Sequence, residues 1–440
     1  MAFRVNPRAV LRGNALPANP NACFLHVDPA EVARLRNAIV DPSPVSGLTH
    51  TFYRYPARFS PLFVRQAIET FTAPRDVVAD PFMGGGTTLV EATALGRYAF
   101  GTDISALAAF VARVKTRVYT ESQLHRLRAW AEEVSDQINM RRLAIYPVDW
   151  AERGYLKHLE TRRTWRLSKA TQQALGSVLH LSPVRVEEFA RCVILRTAQW
   201  AMDARREVPS VNQFRQRLIG FASEMLAGAE QYRRAVEIAF PESEAPEPIC
   251  LHRPADGLNG EPPSQGLPRP KLVLTSPPYP GVHVIYHRWQ VEGRKETPAP
   301  FWIANQLDGS GAKYYMLGDH REVHLRSYYE NLLSSFLSIR GLCSPETIVV
   351  QLVAFAEPNW QLPHYLNVMN TAGFRELLLP GSSETIDGRL WRRVPNRRWH
   401  AGQLGETAGA NEVVLIHTSA PSTQPLRHFP RDTLRPRPVH

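Results

Sequence analysis

Residues 76–103, "DVVADPFMGGGTTLVEATALGRYAFGTD", admit few folds. "DVVAD" (76–80) is a short apolar run that ends on an acid. Three glycines, 84–86, then turn the chain, and "TTLVEATALG" (87–96) has helical spacing closed by Gly96. "RYAFGTD" (97–103) reads as a second strand. Strand, helix and strand in that order make a β-α-β unit, whose strands lie parallel in a sheet with helices against it. "SPLFVRQAIETF" (60–71) supplies a further helix, with Pro61 suited to its first turn. Strand patterns return at 271–274, 347–353 and 411–418. The expected fold is α/β, a doubly wound and mostly parallel sheet.

The glycine turn has a chemistry of its own. Gly84, Gly85 and Gly86 let the backbone turn tightly and approach a ligand, and the helix beyond offers unpaired N–H groups. Asp103 ends the next strand about 20 residues later, the spacing of a carboxylate that grips ribose hydroxyls. No Gly-Lys-Ser/Thr follows and no lysine is expected to face the turn, which argues against a triphosphate. A nucleoside cofactor with a small carboxylate fits better. A plain β-α turn is the competing reading, and the spaced acid weighs against it.

The remainder of the 440 residues sorts by pattern. Residues 1–45 read as a flexible, proline-punctuated arm. Residues 120–249 read as a helical insert, opened by a capping box of Thr120 and Gln123. Residues 254–270 form a Pro/Gly-rich connector, and 421–440 a disordered basic tail. The catalytic domain would then comprise 46–119 and 250–420. A net charge of +11 and a pI near 9.7 favour a polyanionic partner, nucleic acid first, over a basic surface with no role. The four cysteines form no C-x-x-C pair, so no metal site is expected, and nothing suggests disulfides, which fits a reducing cytoplasm. No apolar stretch is long enough to span a bilayer.

"TSPPYPG" (275–281) follows the apolar run "KLVL". Two prolines and a tyrosine after a small hydroxyl residue make either an ordinary turn or a rigid recess for a planar ring. Here a family resemblance enters. "DPFMGGGTTLVEATALGRYAFGTDIS" (80–105) resembles the S-adenosylmethionine motif of DNA amino-methyltransferases, which act on adenine N6 or cytosine N4. Phe82, Gly84 and Gly86 match its Phe-x-Gly-x-Gly form. "YPARFSPLF" (55–63) is similar to the cofactor motif that precedes that strand, and "TSPPY" to the catalytic motif in its cytosine-N4 form. "LHRPADG" (251–257) offers Asp256 as the acid of the next strand end. The resemblance covers about 45–118 and 250–418 and leaves the insert unmatched. The cofactor motif comes first in the chain, whereas relatives with this style of glycine motif usually place the catalytic motif first.

The resemblance implies a Rossmann-like methyltransferase that binds S-adenosyl-L-methionine. Its cofactor residues would be Tyr55, Arg58, Phe59, Asp80, Phe82, Gly84, Gly86, Thr87, Thr88, Asp103, Ile104 and Asp256. Its catalytic residues would be Ser276, Pro277, Pro278 and Tyr279. The chemistry suits these side chains. An exocyclic amine is a poor nucleophile, so two acceptors must draw it toward tetrahedral geometry. Ser276 supplies a side-chain oxygen, and Pro277 a rigid carbonyl. Tyr279 can stack on a base flipped out of duplex DNA. Methylation at cytosine C5 would need a cysteine nucleophile, and no Pro-Cys dipeptide exists.

Two Arg/Trp segments are candidate DNA contacts: 287–302 through Arg288, Trp289, Arg294 and Lys295, and 391–400 through Arg397 and Arg398. The insert, with "TRRTWR" (161–166) and "DARRE" (203–207), is the expected target-recognition region. The expectation is therefore a cytoplasmic, nucleoid-associated cytosine-N4 methyltransferase of double-stranded DNA. Restriction or defence partners would be separate chains. Adenine-N6 methylation, RNA amino-methylation and a non-catalytic DNA-binding module are the rival readings.

Overall fold

The structure, a computed structural model of the 440-residue chain, describes residues 19, 21–55, 59–144, 148–241, 246–260, 266–282, 288–293, 295–309, 312–379, 387–394 and 410–419. It begins with β1 (Cys23–Phe24), α1 (Pro29–Val40) and α2 (Pro61–Phe71). Next come β2 (Val77–Asp80), α3 (Thr87–Ala94), β3 (Tyr98–Asp103) and α4 (Ala106–Thr116). Five helices follow: α5 (Glu121–Gln137), α6 (Val148–Glu152), α7 (Trp165–Val178), α8 (Val184–Met202) and α9 (Val211–Ala239). The chain then forms β4 (Ile249–His252), β5 (Leu272–Thr275), β6 (Trp289–Val291), β7 (Lys295–Thr297) and α10 (Ala299–Ile303). It ends with α11 (Arg326–Leu342), β8 (Ile348–Ala354), α12 (Pro358–Thr371), β9 (Arg375–Leu378), β10 (Leu390–Val394) and β11 (Ala410–Thr418).

The main sheet has the order β1-β9-β11-β8-β5-β2-β3-β4, with β10 also paired to β11. From β8 to β4 all neighbours are parallel, whereas β11 runs antiparallel to β8, β9 and β10. Every residue of β2, β5 and β8 is buried, as strands covered on both faces must be. The expected doubly wound sheet is present. From β2 the chain winds outward through β3 to β4, then returns to the other side of β2 as β5. The carboxyl ends of β2 and β5 therefore meet where the winding reverses, the place where such sheets leave a ligand crevice. Val78 pairs with Leu272 and Ala79 with Val273, so the glycine turn and the "TSPPY" loop leave adjacent strands side by side.

Residues 29–40 depart from the expected irregular arm. Asp28 caps the Ala30 amide, Pro29 starts the helix, and Val32, Leu35 and Ile39 share one buried face. Proline punctuation had hidden an ordinary proline-started helix. The helical reading of the insert agrees with α5–α9, and the capping box at Thr120 and Gln123 is formed on both sides. The insert does not own a separate core. Leu124, Trp130, Phe189 and Met225 pack in one cluster with Phe52, Tyr55 and Phe110 of the sheet region and with Trp289 and Phe301.

Candidate active site

Helix α3 starts at Gly86, which sits in the left-handed region at φ 73°. A Cβ there would lie 2.9 Å from the Ala112 Cβ on α4, so glycine is required both by conformation and by space. Gly101 is as constrained: a Cβ would meet the Asp80 carbonyl at 2.9 Å. The Tyr55 ring covers the turn, with its Cε1 at 3.4 Å from where a Gly84 Cβ would stand.

Asp103 holds this turn from the next strand. Its Oδ2 accepts the Gly84 amide at 2.9 Å and its Oδ1 the Ser105 amide at 2.8 Å. Each oxygen keeps a second acceptor direction. Burial pushes the carboxyl up to about 6, against those two amides. Asp80 behaves alike. Burial pushes it up to about 6, opposed by hydrogen bonds from Thr275, Thr88 and the Phe82 amide. The Thr275 hydroxyl donates to Asp80 Oδ1 at 2.6 Å, and that bond ties the "TSPPY" loop to the glycine turn. Thr88 is buried and donates to the Leu274 carbonyl at 3.4 Å, and Thr87 is buried beside it.

Lys115 corrects the expectation that no lysine faces the turn. From α4 its Nζ donates to the Gly85 carbonyl at 2.5 Å while the residue is 3% exposed. It lies one helical step of three residues beyond Ala112, which packs on Gly86, so both share a face. A charge tied to a backbone carbonyl is not a phosphate-gripping lysine at the mouth of a P-loop.

The "TSPPY" loop is anchored at three further residues. The Ser276 hydroxyl donates to the Leu352 carbonyl at 3.0 Å, which turns its lone pairs elsewhere. The Pro278 carbonyl accepts from the Tyr328 hydroxyl at 2.8 Å. The Tyr279 hydroxyl donates to Glu412 Oε1 at 2.9 Å. Glu412, 1% exposed on β11, is itself paired with Arg392 of β10 at 2.5 Å. Arg392 also reaches the Ile39 carbonyl of α1 at 3.2 Å. Pro277 is buried, and among the described residues its carbonyl accepts no hydrogen bond. Pro278, Tyr279, Gly281, Leu325 and Tyr328 line a small open cleft beside the loop. Neither Tyr328 nor Glu412 was foreseen, since each lies on a distant stretch of chain without a motif, and Arg392, in the 391–400 segment expected to contact DNA, is instead paired with the buried Glu412.

Other expected residues are scattered. Phe59 is buried against Phe63 in the core beneath α2. Phe82 and Ile104 are half-buried at the ends of β2 and β3. Asp256 is exposed on a 3-10 turn, three residues past Arg253, whose amide donates to the Asp103 carbonyl. Arg58 lies outside the described residues, as do Arg294, Arg397 and Arg398. Trp289 is no surface contact: it is 1% exposed, and its indole donates to the Tyr53 hydroxyl at 3.0 Å. β6 alternates buried, half-buried, buried, which turns Trp289 and Val291 inward. Arg288 is bound to Asp308 by two hydrogen bonds of 2.9 and 2.5 Å, whereas Lys295 is exposed beside Glu292. Burial pushes the thiols of Cys192 and Cys343 up to about 12 and that of Cys250 to about 11, which leaves no ready thiolate among them. Among the described residues no group of three His, Cys, Asp or Glu is placed to hold a metal, and no helix is long and apolar enough to cross a membrane.

Comparison with known proteins bears on the same region. Residues 36–110 match the family model described as DNA methylase, N6_N4_Mtase. The Type II methyltransferase M.MvaI of Kocuria varians is 38% identical over 82 residues, 18% of this chain and 18% of its own length. The Type II methyltransferase M.MjaII of Methanocaldococcus jannaschii is 33% identical over 78 residues, 18% of this chain and 15% of its own. The matches thus span under a fifth of either relative's length. Among solved structures, the rRNA methyltransferase aviRa from Streptomyces viridochromogenes aligns over 90% of this chain and 94% of its own, at 10% identity and a TM-score of 0.28. So loose a superposition adds nothing to the strand order, on which the fold rests. Over residues 36–110, which include its glycine turn, the chain is similar to the DNA methylases of the N4/N6 family.

Proposed function

We propose that this chain transfers a methyl group from S-adenosyl-L-methionine to the N4 amine of cytosine in double-stranded DNA. The observation that carries the reading is the placement of Ser276 and Pro277 beside the glycine turn, with Thr275 hydrogen-bonded to Asp80 across the gap. The residues fit the cofactor: Asp103 has an acceptor direction left on each oxygen for two ribose hydroxyls, and Tyr55 walls the turn. When bound, the cofactor supplies a methyl group on a positively charged sulfur.

The protein's part is positioning. Ser276 spends its proton on Leu352 and presents its lone pairs to one amine hydrogen. The Pro277 carbonyl takes the other. Together they would pull the amine out of conjugation and leave its lone pair free for the methyl group that the cofactor would supply. The proton then released goes to solvent. Tyr279, held by Glu412, gives the flipped base a fixed ring to stack on. Both relatives are named Type II methyltransferases, which supports a restriction-modification setting.

The test is incubation of the purified chain with duplex DNA and the methyl donor, digestion to nucleosides, and mass spectrometry. N4-methylcytosine is expected. N6-methyladenine would transfer the reading to the adenine branch, and 5-methylcytosine would overturn the mechanism. Ser276→Ala should lower kcat by roughly 100-fold or more with little change in cofactor affinity, because its contact strengthens as the amine pyramidalises.

A further inference from the structure

Two arginine-rich loops, far apart in sequence, meet on the outside of the helical insert. Arg163 of "TRRTWR" donates to the main-chain carbonyl of Arg206 in "DARRE" at 2.5 Å. Between them, residues 161–166 and 203–207 carry five arginines, all exposed, and two acids. One of those acids, Asp203, is turned inward and accepts the Gln290 amide at 3.0 Å. Of the acids within these two segments, Glu207 is the one beside the five arginines, and Glu292 of the β6–β7 hairpin lies near Arg163 and Lys295. Trp165 is 39% exposed, with the Arg166 guanidinium 4.7 Å from its ring centre. Arg205 and Arg217 lie over Trp200 at 4.9 and 5.5 Å.

The β6–β7 hairpin locks this surface to the catalytic region. The Ala204 amide donates to the Gln290 carbonyl at 2.7 Å, and the Thr161 hydroxyl to Glu292 at 2.6 Å. The hairpin's Trp289 is bonded to Tyr53, which is in ring contact with Tyr55 at 6.3 Å. Tyr55 in turn covers the glycine turn. The arginine surface is thus joined to the cofactor turn through three packed aromatic residues, and it stands on the hairpin that follows the catalytic loop.

We infer that these two loops, with Lys295 of the hairpin, form the surface that grips the phosphate backbone of the DNA duplex near its flipped base. The inference rests on the proposed DNA methylation. Planar guanidinium groups held by backbone carbonyls and indole faces are preorganised for phosphate oxygens. Buried Trp289 then serves as a strut under the patch, not as a contact.

The experiment is titration of a fluorescent 20–30 base-pair duplex at several salt concentrations. Wild type is compared with Arg162→Gln/Arg163→Gln/Arg205→Gln/Arg206→Gln. A second variant, Arg162→Gln/Arg166→Gln, alters two side chains that make no hydrogen bond among the described residues, so it leaves the hydrogen bonds between the loops intact. A third, Arg233→Gln/Arg234→Gln on α9, matches the second in charge. Its site lies ~30 Å along that helix from Val211 at 1.5 Å per residue. Each lost phosphate contact should reduce the slope of log affinity against log salt by about 0.9. The first two variants should lose slope and at least roughly tenfold in affinity near 0.1 M salt, with cofactor binding retained. The α9 variant should keep the wild-type slope. Wild-type slope in both loop variants would overturn the surface while leaving DNA methylation standing. Equal loss in the α9 variant would also overturn it, reducing the effect to net charge. A wild type that binds no duplex would overturn both readings.

Discussion

If Asp103 takes the ribose hydroxyls as proposed, cofactor affinity must depend on pH in a way that can be calculated. Its two oxygens each take one backbone amide, from Gly84 and Ser105, and each has one acceptor direction left. Two vicinal hydroxyls would complete the set. Burial holds the free carboxyl near 6, so below that pH a proton competes with the ribose. Ribose donation favours the ionised form, so binding must expel the proton, and affinity strengthens as pH rises through 6. If only the carboxylate binds, affinity should fall about tenfold for each pH unit below 6. Asp103→Asn keeps the size but turns an N–H group toward one of the two amides. It should lose about 1–3 kcal/mol, roughly 5- to 150-fold in Kd, and flatten the pH dependence. Calorimetric titration with S-adenosyl-L-methionine between pH 5 and 8 measures both. Asp80 titrates in the same range, so Asp80→Asn is the necessary companion. A wild-type Kd constant from pH 5 to 7, or a slope that survives in Asp103→Asn, would refute the role. Stability must run the other way. For Asp80 and Asp103 the folded carboxyl sits above the unfolded one at 3.8, so the protein binds extra protons and loses stability as pH rises from about 4 to 6.

Two further outcomes follow from packing. Gly86→Ala meets the Ala112 Cβ at 2.9 Å in a left-handed conformation, and should cost about 2–4 kcal/mol, read as a lowered denaturation midpoint. Glu412→Ala leaves Arg392 largely buried without its partner and should destabilise by about 3–5 kcal/mol, whereas Tyr279→Phe loses only one hydroxyl bond, about 1 kcal/mol, and should raise KM for DNA more than it lowers kcat; equal destabilisation by the two would show that Glu412 does not hold the pair.

What the sequence disclosed was what is local. The strand, glycines, helix and Asp103 lie within 28 consecutive residues, and their hydrogen bonds connect the same residues that form the pattern. "TSPPY" was legible for the same reason. The errors arose where a neighbour comes from afar. Trp289 stood among basic residues and read as surface, but β6 alternation and the Tyr53 hydroxyl, 236 positions away, place it inside. Lys115 could be recognised only once α4 was known to lie against Gly86. The Glu412 partner of Tyr279 is 133 positions on, in a strand whose apolar pattern gave no hint of a buried acid.

One small contact sets how this chain could be re-engineered. The Gln199 side chain of α8 donates to the Arg54 carbonyl at 3.0 Å and accepts the Arg54 amide at 3.1 Å. A single amide thereby acts as a strand partner for the segment that carries Tyr55 over the glycine turn. The insert is consequently not an exchangeable cassette. On the proposed function, a chimera that replaces residues 120–249 to change the DNA target would also remove this clasp beside the glycine turn. Grafts that retain α8 and vary only the outward loops should keep the donor site assembled, so retargeting this chain is a matter of loop exchange and not of domain exchange.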